Sequence, residues 1–83
     1  MMKQAIREFI ATNFYVADAS WLDDDESSLT GAGIVDSTGM LEVIAFVERT
    51  LGVPVADEEL LPENFDSVAR IAAFVQRKTK AAA

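Results

Sequence analysis

Gly33-Ile34-Val35-Asp36-Ser37-Thr38-Gly39-Met40-Leu41-Glu42-Val43 decides the reading of this chain, because a long loop gives way to an amphipathic helix inside it. Asp and Ser are preferred at helix starts, where their short polar side chains satisfy backbone N–H groups that have no intrahelical partner. Downstream, Met40, Val43, Ile44, Val47 and Leu51 recur at helical spacing and stop at Gly52, a residue that readily takes the left-handed conformation ending a helix. The spacing predicts a helix from about Ser37 to Leu51. With that stripe inward, Thr38, Leu41, Glu42, Ala45, Glu48 and Arg49 face outward. Leu41 then stands one turn from Ser37 beside Glu42 and Glu48, and an apolar centre with an acidic rim is a docking surface.

Outward from this stretch, the rest of the chain also reads as helix. Met2, Ala5, Ile6, Phe9 and Val16 share one helical face, with Ile10 and Phe14 at its edge, which predicts a first helix from Met2 to about Val16. Asp57 to Leu61 has room for a turn or two, and Pro62 is expected to end it, giving a short third helix. Val68, Ile71, Ala72 and Val75 repeat at i, i+3, i+4 and i+7 in a last helix. Asn64 and Asp66 are its candidate N-caps, and Arg77, Lys78 and Lys80 suit the negative end of its dipole. At 83 residues, 51% of them hydrophobic, the chain is expected to be one domain spanning 1–83, with a disordered tail over about 79–83. The fold class is all-α, a four-helix bundle with a long first loop.

That loop, from about residue 17 to residue 36, exceeds the length usual for a connection without structure of its own, and loops of this kind tend to be functional. Trp21, Leu22, Leu29, Ile34 and Val35 are apolar pins that should hold it down, with Asp23-Asp24-Asp25-Glu26 between them as a solvated acidic crest. No glycine and terminal glutamate follow at calcium-loop offsets, so no metal is expected there.

Ser37 is an attachment point rather than a catalytic centre. A serine needs an adjacent base to act as a nucleophile on its own account, and the chain contains no histidine and no cysteine. The hydrolase elbow Gly-x-Ser-x-Gly would need glycine where Val35 stands. Chemistry at Ser37 must therefore be done by another protein, and the chain is not expected to be an enzyme. A second Asp-Ser pair, Asp66-Ser67, lacks the following glycine and leads straight into the core residue Val68, so Ser67 is read as a cap. The net charge of −7, from 14 acidic and 7 basic residues, argues against nucleic acid or an anionic membrane as partner. The five phenylalanines are core or core-edge residues, with too little basic charge beside them for a base-stacking platform. Lys3, Arg7 and Glu8 interrupt the apolar positions of the N-terminus, unlike a signal peptide, and a cytoplasmic location is expected.

The stretch 33–43 resembles the phosphopantetheine attachment motif of the acyl carrier and peptidyl carrier proteins. Ser-Leu-Thr-Gly-Ala-Gly-Ile at 28–34, Leu-Gly-Val-Pro-Val at 51–55 and Phe-Asp-Ser-Val-Ala-Arg-Ile at 65–71 stand where that family has its first loop, its helix-two exit and its last helix. The resemblance implies 4′-phosphopantetheine, taken from coenzyme A with magnesium on a phosphopantetheinyl transferase and held on Ser37 as a phosphodiester. Asp36 would cap helix two and help the transferase recognise the serine, while Thr38, Leu41, Glu42, Ala45 and Glu48 would meet partners. Those partners would be an adenylate-forming acyl or aminoacyl ligase and a downstream acyltransferase or synthase, visited by a monomeric carrier of thioesters. Fatty-acid carriers often place leucine after the serine and acids along helix two, whereas Thr38 follows here and Arg49 interrupts the acidic face. Ser-Thr-Gly is closer to the Ser-Met-Gly of D-alanyl and some peptidyl carriers. On that reading Gly39 leaves the base of the cofactor open, and Phe46 narrows any internal cavity, as suits small polar cargo. The competing reading is a small acidic helical interaction module without a covalent cofactor.

Overall fold

The computed structural model describes residues 2–16 and 24–82, with side chains through residue 80; Trp21, Leu22 and Asp23 lie outside the described residues. Four α-helices follow in order: α1 (Met2–Asn13), α2 (Ser37–Arg49), α3 (Pro62–Phe65) and α4 (Val68–Ala82), with a 3₁₀ turn at Asp57–Glu59. α1 and α3 pack on α4, and α2 packs on α3. Among the described residues every regular element is helical, as the patterning requires. α4 reaches Ala82, into the stretch 79–83 set aside above as a tail.

α1 differs in detail from the expectation. Its buried side chains are Ile6 and Ile10, one turn apart, so Ile10 is the centre of the inward face and not its edge. Met2, Ala5 and Phe9 are only half-buried. In α2, Val43 and Val47 enter the core, Met40 and Ile44 pack against it half-buried, and Thr50 caps the helix before Leu51. Gly52 takes φ +70, the left-handed exit for which only glycine is unstrained.

The third element corrects the reading of Pro62. Asp57–Glu59 makes only a single 3₁₀ turn, and Pro62 opens α3 instead of closing a helix before it. Proline suits that first position, since its missing N–H would have no helical partner and its fixed φ is already helical. α4 in turn is capped neither by Asn64 nor by Asp66. The Ser67 hydroxyl accepts the Arg70 N–H at 3.1 Å, and Asp25 in the long loop offers its carbonyl to the Ala69 N–H at 2.8 Å. Asn64 instead bridges the Glu59 carbonyl and Arg77, and Lys78 pairs with the Glu59 carboxylate at 2.7 Å. Arg77 and Lys78 thus tie α4 to the 3₁₀ turn and α3.

Asp66 holds the loop. Its carboxylate accepts the Ser28 hydroxyl at 2.6 Å, the Thr30 N–H at 3.0 Å and the Thr30 hydroxyl at 2.7 Å, while its carbonyl accepts the Leu29 N–H at 2.8 Å. Leu29 and Val35 are buried by this clamp, which accounts for how the described part of the loop, residues 24–36, is packed down. The acidic crest is not uniformly solvated: Asp25 is half-buried and pairs with Arg7 and with Lys3, the latter at 3.1 Å, whereas Asp24 and Glu26 are exposed.

These contacts make stability acid-sensitive. At Asp66 burial pushes the carboxyl pKa up, but the Ser28 hydroxyl and the two Thr30 donors outweigh it and leave the net below the ordinary 3.8. Arg7 first and Lys3 second lower Asp25, and Lys78 and the Ala56 N–H lower Glu59. A carboxyl whose folded pKa is depressed contributes stability that is present above its unfolded pKa and lost as pH falls through the folded one. The expected result is a melting temperature that is level near neutrality and falls as pH drops below the ordinary carboxylate values. Asp66→Asn should be less stable at pH 7 and fall less steeply in acid. Melting curves across pH for both proteins check this, and parallel acid slopes would show that Asp66 is not the clamp.

Candidate functional site

Ser37 is the first residue of α2 and is exposed. Asp36, in extended backbone before it, is the N-cap: Oδ1 accepts the Gly39 N–H at 2.7 Å and the carbonyl accepts the Met40 N–H at 2.8 Å. Both acceptors bring α2 to a clean start, with Ser37 and Thr38 at the end where backbone N–H groups and the helix dipole favour an anion.

Gly39 is buried, and this corrects its expected role. A Cβ there would lie 2.6 Å from Cε1 of Phe14 and 3.2 Å from Oδ1 of Asp36. The missing side chain admits the Phe14 ring against the back of the turn, rather than clearing space in front of Ser37.

In front of Ser37 lies a cleft of about 660 Å³. Val35, Met40, Ile44 and Phe65 form its apolar depth, Leu41, Leu60, Leu61 and Pro62 its rim, and Thr30, Asp36 and Asp66 a polar end. Leu41, Leu60 and Leu61 are 66%, 43% and 44% exposed, so three of the largest exposed apolar side chains converge on the cleft that Ser37 borders. Met40 and Ile44 are half-buried because the cleft leaves their outer sides uncovered. Phe46 lies elsewhere: it stacks on Phe9 with ring centroids 4.3 Å apart, so it does not narrow this space.

Of the expected docking residues, Thr38, Leu41, Glu42 and Glu48 are exposed, while Ala45 is half-buried beside Phe9 and Phe46. The Glu48 carboxylate accepts the Val55 N–H at 3.4 Å, so it is partly engaged within the chain. Leu60, Leu61 and Phe65 were not among the site residues expected from sequence. The signal available was the Leu60-Leu61-Pro62 run, in which two large apolar residues precede a proline in a short connection.

Ser67, the second Asp-Ser serine, is buried at 1% exposure and engaged by Arg70, so of these two serines only Ser37 is exposed. No protein-family model matches the chain. Over 77 residues it is 30% identical to the probable acyl carrier protein PigG of Serratia sp. (strain ATCC 39006), a match that covers 93% of this chain and 87% of that protein. The chain belongs to the acyl carrier proteins. An acyl carrier protein is a carrier and not an enzyme, which agrees with a serine that has no histidine to activate it. The family bears a phosphopantetheine prosthetic group and works with enzymes such as synthases and transferases. Among the described residues of this acyl carrier protein, no helix is long and apolar enough to cross a membrane.

Proposed function

We propose that Ser37 is the attachment point of 4′-phosphopantetheine and that the protein presents acyl or aminoacyl thioesters to partner enzymes. The single observation that carries this reading is an exposed serine at a capped helix start, on the edge of an apolar cleft. On a transferase, Ser37 Oγ attacks the phosphorus nearer pantetheine in coenzyme A, the pyrophosphate bridge breaks, and adenosine 3′,5′-bisphosphate leaves. The hydroxyl proton goes to a base of the transferase or to solvent, since this chain has no histidine and Oδ1 of the adjacent Asp36 is engaged by the Gly39 N–H. When bound, the group supplies a thiol that this cysteine-free chain lacks. Ser37 holds its phosphodiester near the positive end of α2, and Asp36 fixes the turn for recognition.

Partners fit the same face. Leu41, with Glu42 and Glu48, suits an apolar contact rimmed by basic groups on a phosphopantetheinyl transferase, an adenylate-forming ligase, or a downstream acyltransferase or synthase. The Ser-Thr-Gly motif supports an aminoacyl or D-alanyl type of carrier. The apolar cleft adds that part of the cargo is sheltered against Met40, Ile44 and Phe65 rather than left in water. Holo-protein prepared from coenzyme A and loaded with acyl groups of increasing length tests both points. Apolar cargo that enters the cleft is expected to raise the melting temperature relative to acetyl, as any ligand of the folded state does. A melting temperature indifferent to cargo would rule out shelter in the cleft, and failure to accept the arm from any transferase would overturn the carrier reading at Ser37.

A further inference from the structure

Three aromatic rings lead from the body of the bundle to the site. Phe46 stacks on Phe9 at 4.3 Å, and Phe9 meets Phe14 edge-on at 6.0 Å and 77°. Phe14 then reaches the first turn of α2, where its ring edge and the Asp36 carboxylate flank the point that a Gly39 Cβ would occupy. Glycine inside a helix costs about 1 kcal/mol relative to alanine, so a residue at this position is chosen for space and not for helix formation. The space goes to Phe14.

We infer that Phe14 is a positioning residue for attachment at Ser37: its ring backs the first turn of α2 and keeps Asp36 with Oδ1 on the Gly39 N–H. The inference rests on the reading of Ser37 as the attachment site and extends it to a residue in the segment that leaves α1. With the ring present, the carboxylate cannot swing back over Gly39, and its second oxygen stays available to the transferase. Without it, a gap opens behind Gly39 and the Asp36 side chain gains other orientations. Small misplacements of groups that orient a reaction are costly in rate even when the fold survives.

The test compares Phe14→Ala, Phe14→Leu and Val75→Ala with the wild-type protein. Val75 is buried in α4 away from the site, so its variant is a control for general loosening of the core. Two readouts are taken: steady-state kinetics of arm transfer from coenzyme A, and the amide resonance of Gly39, whose proton lies in the hydrogen bond to Asp36. Phe14→Ala is expected to lower kcat/KM about tenfold, mainly through kcat because Leu41, Glu42 and Glu48 are untouched, and to move the Gly39 amide upfield. Val75→Ala should change neither. Where Phe14→Ala does not fold, Phe14→Leu, which fills the core without the ring edge, is expected to show the same loss. Wild-type transfer kinetics with an unmoved Gly39 amide in a folded Phe14 variant would overturn the inference. A wild-type protein that accepts no arm would overturn the attachment reading instead, while the amide shift would still report on Phe14.

Discussion

Ser37→Ala is expected to fold as the wild-type protein does and to accept nothing from coenzyme A. Capping of α2 belongs to Asp36, whose Oδ1 holds the Gly39 N–H, so the Ser37 hydroxyl is not needed to start the helix. The side chain is exposed, and alanine has the better helix propensity, which places the stability change within about 0.5 kcal/mol in either direction. Loss of attachment should be complete, because no other described serine combines exposure with the first turn of a long helix; Ser67 is buried and bonded to Arg70. Circular dichroism and melting establish the fold, and a fluorescent coenzyme A analogue with a transferase establishes attachment. Labelling of the variant at the wild-type level would move the attachment point elsewhere.

Phe65→Ala is expected to have the largest effect on stability. Its ring is 1% exposed, tilts against Phe74 with centroids 5.1 Å apart, and closes the floor of the cleft. Truncating a buried phenylalanine costs about 3–5 kcal/mol, from lost transfer energy and the cavity left behind. A domain of this size has about 4–12 kcal/mol of stability in all, so the variant should lose a quarter or more of it and melt about 12–40 °C lower. α3 has four residues and cannot persist by its own propensity, so its position depends on this anchor. Urea and thermal unfolding check the value. A loss below about 1 kcal/mol would mean that Phe65 does not hold α3 on α4.

The bundle was legible in the sequence because α2 and the α4 core stripe carry uninterrupted helical periods, and the exposure of Ser37 followed from its place outside the α2 stripe. Other features depend on contacts between segments far apart in the chain. Asp66 reads as a cap when only its neighbours Ser67 and Val68 are considered; it is a clamp because Ser28 and Thr30 come to it across the fold. Gly39 reads as open space, but Phe14 occupies that space from the segment that follows α1. Pro62 has two opposite meanings at helix boundaries, and only the packing of Phe65 decides that it starts one. The cleft is a volume left between α2 and the 60–62 segment, and no periodicity announces a volume.

The most direct measurement is the intact mass of the purified protein before and after incubation with coenzyme A, magnesium and a broad-specificity phosphopantetheinyl transferase, with Ser37→Ala and Ser67→Ala in parallel. Addition of one phosphopantetheine unit to the wild-type protein and to Ser67→Ala, but not to Ser37→Ala, is the predicted result. No addition with several transferases, or addition to Ser37→Ala, would contradict the assignment of Ser37 as the point where this acyl carrier protein holds its cargo.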